Sequence, residues 1–272
     1  MIPKIIWHYW HDPHEKYLKE NIIAAACMES WKRLNPGWEI RIVSRDNLQQ
    51  WFDYKSLHET IVNPSKQHPK LPAESDIIRV GILAEHGGVY ADVDVFCNRP
   101  LDDWIHDSDF YVPVSSNENH FTNILKDREG NNLKPGGRKM ETWFISSATG
   151  NSIVSEWNRY HHDYWSHGEY FRPFYYWSIS CLQDVLVETS PTHYKKMYNM
   201  MKFSKNLSIS SITQSVRTKE AHDHIPMLDK IADELHKIPF WKLKRDTATK
   251  LDNHFPDTCM FMKLCNNHNI TL

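Results

Sequence analysis

The N-terminal part of the chain alternates between short apolar runs, typical of buried strands, and segments whose apolar positions have helical spacing. Residues 38–43 alternate apolar and polar positions, as a half-buried strand does. The predicted elements are a strand at 2–7, a helix at 21–34, a strand at 38–43, a helix capped by Asp46, a helix at 75–86 and a strand that carries Asp92 and Asp94. This order predicts an α/β fold with a mainly parallel sheet, in which ligands bind beyond the carboxyl ends of the strands.

The apolar pattern is weaker in the middle of the chain. Strands are expected at 110–114 and 142–146, and the polar stretch between them, which includes 131–137, predicts a flexible loop near the site. Helical spacing dominates afterwards. We therefore expect a core at residues 1–150 and a mainly helical region at 151–272 that packs on it as one structural unit.

Composition narrows the class of protein. A formal net charge of −2 over 272 residues gives no general attraction to nucleic acid. Aromatic residues make up 12 % of the chain, with eleven Trp against nine Gly, which favours a packed protein with aromatic-lined clefts. The five cysteines lack a paired CxxC spacing, as expected of reduced thiols. No signal peptide follows Met1, and no apolar run approaches the roughly 18 residues of a membrane span, so we expect a cytoplasmic protein.

Candidate functional residues are most concentrated where the helix at 75–86 reaches Gly87-Gly88 and the chain continues into an apolar strand with Asp92 and Asp94. Side chains two apart on a strand point the same way, so these two acids are expected on one face. Two like charges on an apolar strand repel each other and are costly to bury. A divalent cation removes that cost, and carboxylate oxygens suit Mg²⁺ or Mn²⁺. Asp92 and Asp94 therefore predict a metal site.

Two other interpretations of the acid pair are weaker. Solvent-facing acids on an edge strand do not explain the apolar flanks. The string VYADVDVF also fits the DxDx(T/V) strand of haloacid-dehalogenase-type phosphatases, in which the first Asp is a nucleophile. That class expects the motif near the N-terminus and a later Lys with an acidic pair, whereas here the motif lies after Gly-Gly in mid-chain.

Further candidates flank the acid pair. Asp76 and Arg79 share a helical face, either as an ion pair or as a sugar-hydroxyl contact and a phosphate contact beside the metal. Aromatic side chains at the end of the first strand, Trp7-His8-Tyr9-Trp10, fit either the core or a nucleobase, and we expect one Trp inside and one facing a ligand.

The C-terminal half leaves three alternatives open. The aromatic stretch at 157–177 fits a core stripe or a groove for a saccharide acceptor. His222-Asp223-His224 offers a further ligand for the cation. The basic residues of the last segment fit a solvated face, a diphosphate contact or an anionic membrane surface. These basic residues are Lys237, Lys242, Lys244, Arg245 and Lys250.

Four segments together resemble the capsular-polysaccharide-synthesis glycosyltransferases, bacterial relatives of the DxD sugar transferases that include yeast α-1,6-mannosyltransferases and the glucosylating clostridial toxins. The segments are PKIIWHYW, CMESWKRLNPGWEIRIVS, SDIIRVGILAEHGGVYADVDVFCNRPL and PFWKLKRD. The resemblance is strong over residues 1–105 and patchier to about residue 250.

The resemblance implies a GT-A-type, Rossmann-like nucleotide-sugar-binding sheet with a helical C-terminal acceptor region. It implies transfer of a hexose with retention, using Mn²⁺ or Mg²⁺ and a UDP-hexose donor, with UDP-galactose or UDP-glucose favoured over GDP-mannose. The acceptor is expected to be an oligosaccharide or a lipid-linked saccharide at the inner face of the cytoplasmic membrane, with peripheral membrane association as an open alternative.

The resemblance also assigns residues. Asp92 and Asp94 match the DxD motif, with Asp94 as the direct metal ligand and Asp92 nearer the ribose and donor sugar. Asp76 and Arg79 match donor-sugar and phosphate contacts. The nucleotide is expected against Trp7, His8 and Tyr90, although many relatives have His where this chain has Trp7. Competing hypotheses are a catalytically degenerate glycan- or nucleotide-binding protein and the DxD phosphatase.

Overall fold

The computed structural model describes residues 1–11, 20–53, 71–105, 108–113, 141–166, 191–192, 237–243, 255 and 259–271. Its strands are β1 (Ile5–Tyr9), β2 (Glu39–Val43), β3 (Gly88–Ala91), β4 (Val95–Cys97), β5 (Phe110–Tyr111), β6 (Phe144–Ser147) and β7 (Phe240–Lys242). Its α-helices are α1 (Ile22–Leu34), α2 (Leu71–His86), α3 (Ser152–Ser166) and α4 (Met260–Asn267), and short 3₁₀ turns lie at Leu48–Gln50 and Leu101–Asp103. None of the described helices has the length and apolarity that a membrane crossing requires.

The central sheet has the order β2-β1-β3-β6-β5. Strands β1, β2 and β3 run parallel, with helices α1 and α2 in the connections between them, which confirms the predicted α/β fold with its parallel strands. The other half of the sheet is antiparallel, since β6 runs against both β3 and β5. The carboxyl end of β3 therefore lies in the middle of the sheet, next to β1 and β6.

A second, two-stranded sheet pairs β4 with β7 in antiparallel register. This pairing brings residues 240–242 beside the segment that follows β3. Helix α4 packs in the same apolar cluster as α1 and Trp241, so this C-terminal helix is held against the N-terminal part of the chain. The same cluster contains Phe96, two residues after Asp94, so helices α1 and α4 pack beside the segment that carries the acids.

Helix α1 agrees with its predicted bounds to within a residue, and its contacts show what holds it in place. The side chain of Asn21 accepts a hydrogen bond from the Ala24 N–H, which caps the start of the helix. The buried face ends with Trp31, whose indole N–H donates to the Val95 carbonyl at 2.7 Å. That bond ties α1 to the first residue of β4.

The turn from α2 into β3 needs glycine. Gly87 has φ of 65° and Gly88 has φ of 101°, a region that side-chain-bearing residues rarely adopt. A Cβ on Gly87 would lie 2.7 Å from the Thr149 backbone nitrogen. The predicted end of the helix at Gly87-Gly88 is confirmed, and the close backbone contact fixes where β3 begins.

Two predicted elements are wrong. The strand does not run through Asp94, because β3 ends at Ala91 and the Val95 N–H closes a turn on the Asp92 carbonyl at 3.0 Å. The apolar residues around the acids therefore belong to two strands, β3 and β4, rather than to one. The helix expected from Asp46 is only the turn Leu48–Gln50. Its preceding residue Asn47 accepts the Ser44 N–H, a local bond that favours a turn over a longer helix.

Several predictions concern residues outside the described part of the chain. These are the loop at 131–137, the aromatic stretch beyond residue 166, the set His222-Asp223-His224, and the basic residues Lys244, Arg245 and Lys250.

Candidate functional site

Asp92 and Asp94 lie in the turn between β3 and β4, beyond the carboxyl end of a strand in the parallel half of the sheet. The side chain of Asp94 is 10 % exposed and that of Asp92 is 23 % exposed. The acids thus lie at the predicted end of the strand. They are brought together by a turn and not by the alternation of side chains along one strand.

Lys242 joins the two acids. Its Nζ donates to Asp92 Oδ2 at 2.7 Å and also to Asp94 Oδ1. The β4–β7 pairing sets this contact, because Lys242 lies opposite Val95 and the Leu243 N–H donates to the Asp94 carbonyl. Burial by itself would lower the pKa of Lys242, but Asp92 and Asp94 outweigh that effect and raise it. The ammonium is therefore firmly charged at the point where the carboxylates converge.

Sequence reasoning placed Lys242 among several basic residues and missed its position in the site. The available signal was its setting within PFWKLKRD, between Trp241 and Leu243, which are both buried. Apolar and basic residues that alternate in this way indicate a half-buried strand with the lysine on its polar face, and they do not show which groups that face meets.

Arg79 approaches the acids from α2. Its side chain is 6 % exposed, and its Nη2 lies 3.4 Å from both Asp76 Oδ1 and Asp92 Oδ1. Hydrogen bonds occupy all three guanidinium nitrogens: Nε donates to the Ser75 carbonyl, Nη1 to the carbonyl and hydroxyl of Thr142, and Nη2 to the Ser75 hydroxyl. The guanidinium also lies over the Tyr90 ring, 4.9 Å from its centre. Arg79 is thus held by the protein and orients Asp92.

Tyr90 completes the support of Asp92. Its hydroxyl donates to Asp92 Oδ1 at 3.2 Å and lies 3.1 Å from the Ser75 hydroxyl. Burial raises the pKa of Tyr90, with Arg79 opposing and Asp92 reinforcing the shift, so the hydroxyl keeps its proton. A protonated phenol at this distance fixes one carboxylate oxygen of Asp92 and leaves the other for Lys242.

Five predicted residues therefore come together, namely Asp76, Arg79, Tyr90, Asp92 and Asp94. Trp7 does not join them. It is fully buried, its indole N–H donates to the Gly87 carbonyl at 2.9 Å, and its ring packs on Trp51 and His86. This position does not support the predicted stacking of Trp7 on a nucleobase, because the strand face that carries Trp7 is covered by the core.

His8 is also buried, under the end of β3. Its Nδ1 lies 2.7 Å from the Ala91 carbonyl, which can only accept, so Nδ1 carries the proton. Burial lowers the pKa of His8 to about 4, against the raising effects of the Ala91 bond and the Asp92 charge. A neutral His8 thus supports the backbone next to Asp92 from within the core.

The side chains of Asp92 and Asp94 can be compared with the ligands that a divalent cation requires. Within the described residues, no group of three or more His, Cys, Asp and Glu lies close enough to hold a metal. Asp92 and Asp94 nevertheless present one oxygen each to a single point, which Lys242 Nζ marks. Mg²⁺ and similar ions bind one or two carboxylates and complete their shell with phosphate and water oxygens. Asp92 and Asp94 fit an ion of that kind when a phosphate ligand is bound.

Comparisons with known proteins agree with one another. A family model described as "Capsular polysaccharide synthesis protein" matches residues 1–255. A protein named "Putative glycosyltransferase HOC1" from Saccharomyces cerevisiae is 26 % identical over 160 residues, which cover 57 % of this chain and 38 % of that protein. An "Initiation-specific alpha-1,6-mannosyltransferase" from Candida albicans is 24 % identical over 161 residues, covering 57 % of this chain and 41 % of that protein.

The matches span less than half the length of these two curated relatives. Among solved structures, "PaToxG Glycosyltransferase" aligns with 75 % of this chain and 77 % of its own chain, at 13 % identity and a TM-score of 0.39.

Proposed function

The chain belongs to the capsular polysaccharide synthesis protein family, and from this premise we propose that it is a metal-dependent glycosyltransferase. The proposed reaction moves a hexose from a nucleotide-sugar to an oligosaccharide or lipid-linked saccharide in surface polysaccharide synthesis. The names of the relatives from Saccharomyces cerevisiae and Candida albicans support sugar transfer as the reaction class. The observation that carries the proposal is that Asp92 and Asp94, at the carboxyl end of β3, both direct an oxygen at one positive group, the ammonium of Lys242.

The chemistry follows from charge. Breaking the anomeric C–O bond leaves a nucleoside diphosphate on which negative charge grows. Asp92 and Asp94 would hold a divalent ion that, when bound, would supply Lewis-acid stabilisation of that leaving group. Arg79 and Tyr90 hold Asp92 in place before the donor arrives, so little reorganisation is needed during the reaction. Asp76, which is 8 % exposed and ion-paired with Arg79, is proposed to face the donor sugar.

We propose that the anomeric configuration is retained by front-face substitution. The departing phosphate oxygen takes the proton of the acceptor hydroxyl, and the new glycosidic bond forms on the face that the diphosphate leaves. Trapping a glycosyl–enzyme adduct on any side chain would overturn this mechanism. UDP-galactose or UDP-glucose remains the proposed donor, and GDP-mannose is its competitor because the Candida albicans relative is named a mannosyltransferase. The proposed setting is the cytoplasm, at the inner face of the membrane.

The experiment compares wild-type protein with Asp94→Asn, which keeps the shape of the side chain and removes its charge. Asp103→Asn is the matched control, because Asp103 is exposed and lies in the turn Leu101–Asp103 outside the site. Binding of UDP is measured by thermal shift with and without Mn²⁺, and slow donor hydrolysis is followed with UDP-galactose, UDP-glucose and GDP-mannose. At a hundredfold excess over Kd, a ligand stabilises the folded state by about 2.7 kcal/mol, which is easily detected.

We expect the wild type and Asp103→Asn to bind UDP only with Mn²⁺ and to hydrolyse one of the donors. Asp94→Asn should stay folded and lose both properties. Unchanged UDP affinity of Asp94→Asn in Mn²⁺, or donor hydrolysis that chelators leave untouched, would contradict the proposal.

A further inference from the structure

Lys242 occupies the point at which the two acids converge. Its ammonium bridges Asp92 Oδ2 and Asp94 Oδ1, and its side chain is 26 % exposed. Arg79, by contrast, is 6 % exposed and uses all three guanidinium nitrogens on protein partners. Of these two cations, Lys242 is the more exposed to solvent and therefore the more accessible to a ligand.

An ammonium group and a divalent ion cannot share this point. An ion bound to the same two oxygens would lie within a few ångströms of the Lys242 Nζ, and like charges so close repel strongly where water is scarce. Lysine carries its charge on a flexible four-carbon stem, so its ammonium can move without moving the backbone of β7. Lys242 can therefore leave the carboxylates while the β4–β7 pairing stays intact.

We propose that Lys242 is a placeholder cation, which holds Asp92 and Asp94 together in the donor-free protein and moves to the donor's diphosphate when a divalent ion takes its place. This inference rests on the proposed function. Lys242 is then the diphosphate contact that Arg79, bound to Ser75 and Thr142, is not free to provide.

The proposal has a thermodynamic consequence. Without nucleotide, a metal must separate Lys242 from both carboxylates, and the ammonium gains no new anionic partner. With nucleotide bound, the displaced ammonium pairs with phosphate oxygens instead. Metal and nucleotide therefore bind cooperatively, and each raises the affinity of the other by the same factor. Lys242 is the residue through which much of that coupling passes.

The experiment measures free Mn²⁺ by electron paramagnetic resonance during titration of the protein, with and without UDP. The variant is Lys242→Met, which keeps most of the stem and removes the charge. Lys237→Met is the matched control, because Lys237 is an exposed lysine just before β7. In the wild type and in Lys237→Met, UDP should raise Mn²⁺ affinity about tenfold or more, within the range of known couplings.

Lys242→Met should bind Mn²⁺ without UDP about tenfold more tightly than the wild type, and UDP should raise its affinity several-fold less. The Kd of UDP in saturating Mn²⁺ should also increase in this variant. If the wild type shows the coupling and Lys242→Met shows the same affinities, the inference is overturned and the proposed function stands. If the wild type binds UDP without any dependence on Mn²⁺, the metal-dependent function and the inference fail together.

A melting experiment separates a placeholder from a lysine that only supports the fold. Removing Lys242 takes away the cation that bridges the two neighbouring carboxylates, so Lys242→Met and the polar variant Lys242→Gln should both melt at a lower temperature than the wild type. Mn²⁺ alone should restore most of that loss and should stabilise the wild type much less. A lowered melting temperature that Mn²⁺ does not restore would overturn the proposal.

Discussion

Substituting Arg79 by Lys tests whether the guanidinium fork holds the site together. The positive charge is kept, so any loss measures the planar, multidentate contacts and not simple neutralisation. Burial on its own would lower the pKa of Arg79, but Asp92, Tyr90 and Asp76 outweigh it and raise the pKa, so the wild-type side chain is charged throughout the accessible pH range.

The magnitude follows from the hydrogen bonds. Arg79 donates to Ser75 with Nε and Nη2 at 3.1 and 2.8 Å, and to Thr142 with Nη1 at 2.6 and 3.2 Å. A lysine ammonium can keep the bonds to one of these residues but cannot reach both, so two bonds are lost. At about 1.5 kcal/mol for each bond to a charged group, the free energy of unfolding should fall by about 3 kcal/mol.

The assay is urea unfolding followed by tryptophan fluorescence, together with UDP binding in Mn²⁺. A loss of about 3 kcal/mol corresponds to a Tm roughly 6–12 °C lower for a domain of this size. UDP affinity should fall as well, because Arg79 and Tyr90 together hold Asp92 in place and the variant weakens the contact from Arg79. The control is Arg41→Lys, since Arg41 makes an equally forked contact with the exposed Glu39 outside the site.

Arg41→Lys should leave UDP binding unchanged. It should lower the free energy of unfolding less than Arg79→Lys does, because the ion pair with Glu39 is exposed and what is weakened is mainly the stacking on Trp51, 4.2 Å from its ring centre. Wild-type stability of Arg79→Lys would refute the reasoning, because the fork could then not be making the contacts with Ser75 and Thr142. Lower UDP affinity at full stability would instead mean that Arg79 reaches the phosphates directly.

Three further predictions concern stability. Gly87→Ala should lower the free energy of unfolding by at least about 1–2 kcal/mol in urea titrations, because φ of 65° disfavours any side chain. Gly81→Ala should lower Tm, because its Cβ would lie 2.3 Å from the ring of the buried Phe52 and overpacking costs about 1–3 kcal/mol. Acidification should destabilise the protein, because burial lowers the pKa of His8 to about 4 and burial with the Arg79 charge lowers that of His161 to about 3. The unfolded chain binds more protons in that window, so the free energy of unfolding should fall as pH drops from 6.5 to 4, and His161→Gln should flatten the profile.

Local signals in the sequence were enough to predict the elements whose contacts join residues close together in the chain. Helix α1 was predicted to within a residue from its helical spacing and from Asn35-Pro36-Gly37 after it, and the structure adds that Asn21 caps its start. The turn at Asp92 was missed because Val93 and Val95 continue the apolar pattern of β3. Their pattern is the same whether one strand or two short strands carry them.

Contacts between distant parts of the chain could not be predicted in this way. Lys242 is 150 positions from Asp92, and only the pairing of β7 with β4 shows that they meet. Arg79 could be paired with Asp76 from helical spacing, but its bonds to Thr142 depend on how β6 enters the sheet. Trp7 fits a core and a binding surface equally well by composition, and only its full burial shows that it belongs to the core.

The two carboxylate oxygens of Asp92 have different kinds of partner. The partners of Oδ1 are fixed by the protein, whereas the cation at Oδ2 can be exchanged. Oδ1 receives the Tyr90 hydroxyl at 3.2 Å and faces Arg79 at 3.4 Å, and both partners are buried. Oδ2 accepts from Nζ of the more exposed Lys242 at 2.7 Å. Because the buried pair sets the orientation of the carboxylate, exchanging the cation at Oδ2 does not require the carboxylate to rotate. An ion that replaces Lys242 would therefore meet an oxygen that already points at it, which is the condition for fast and reversible binding at low reorganisation cost.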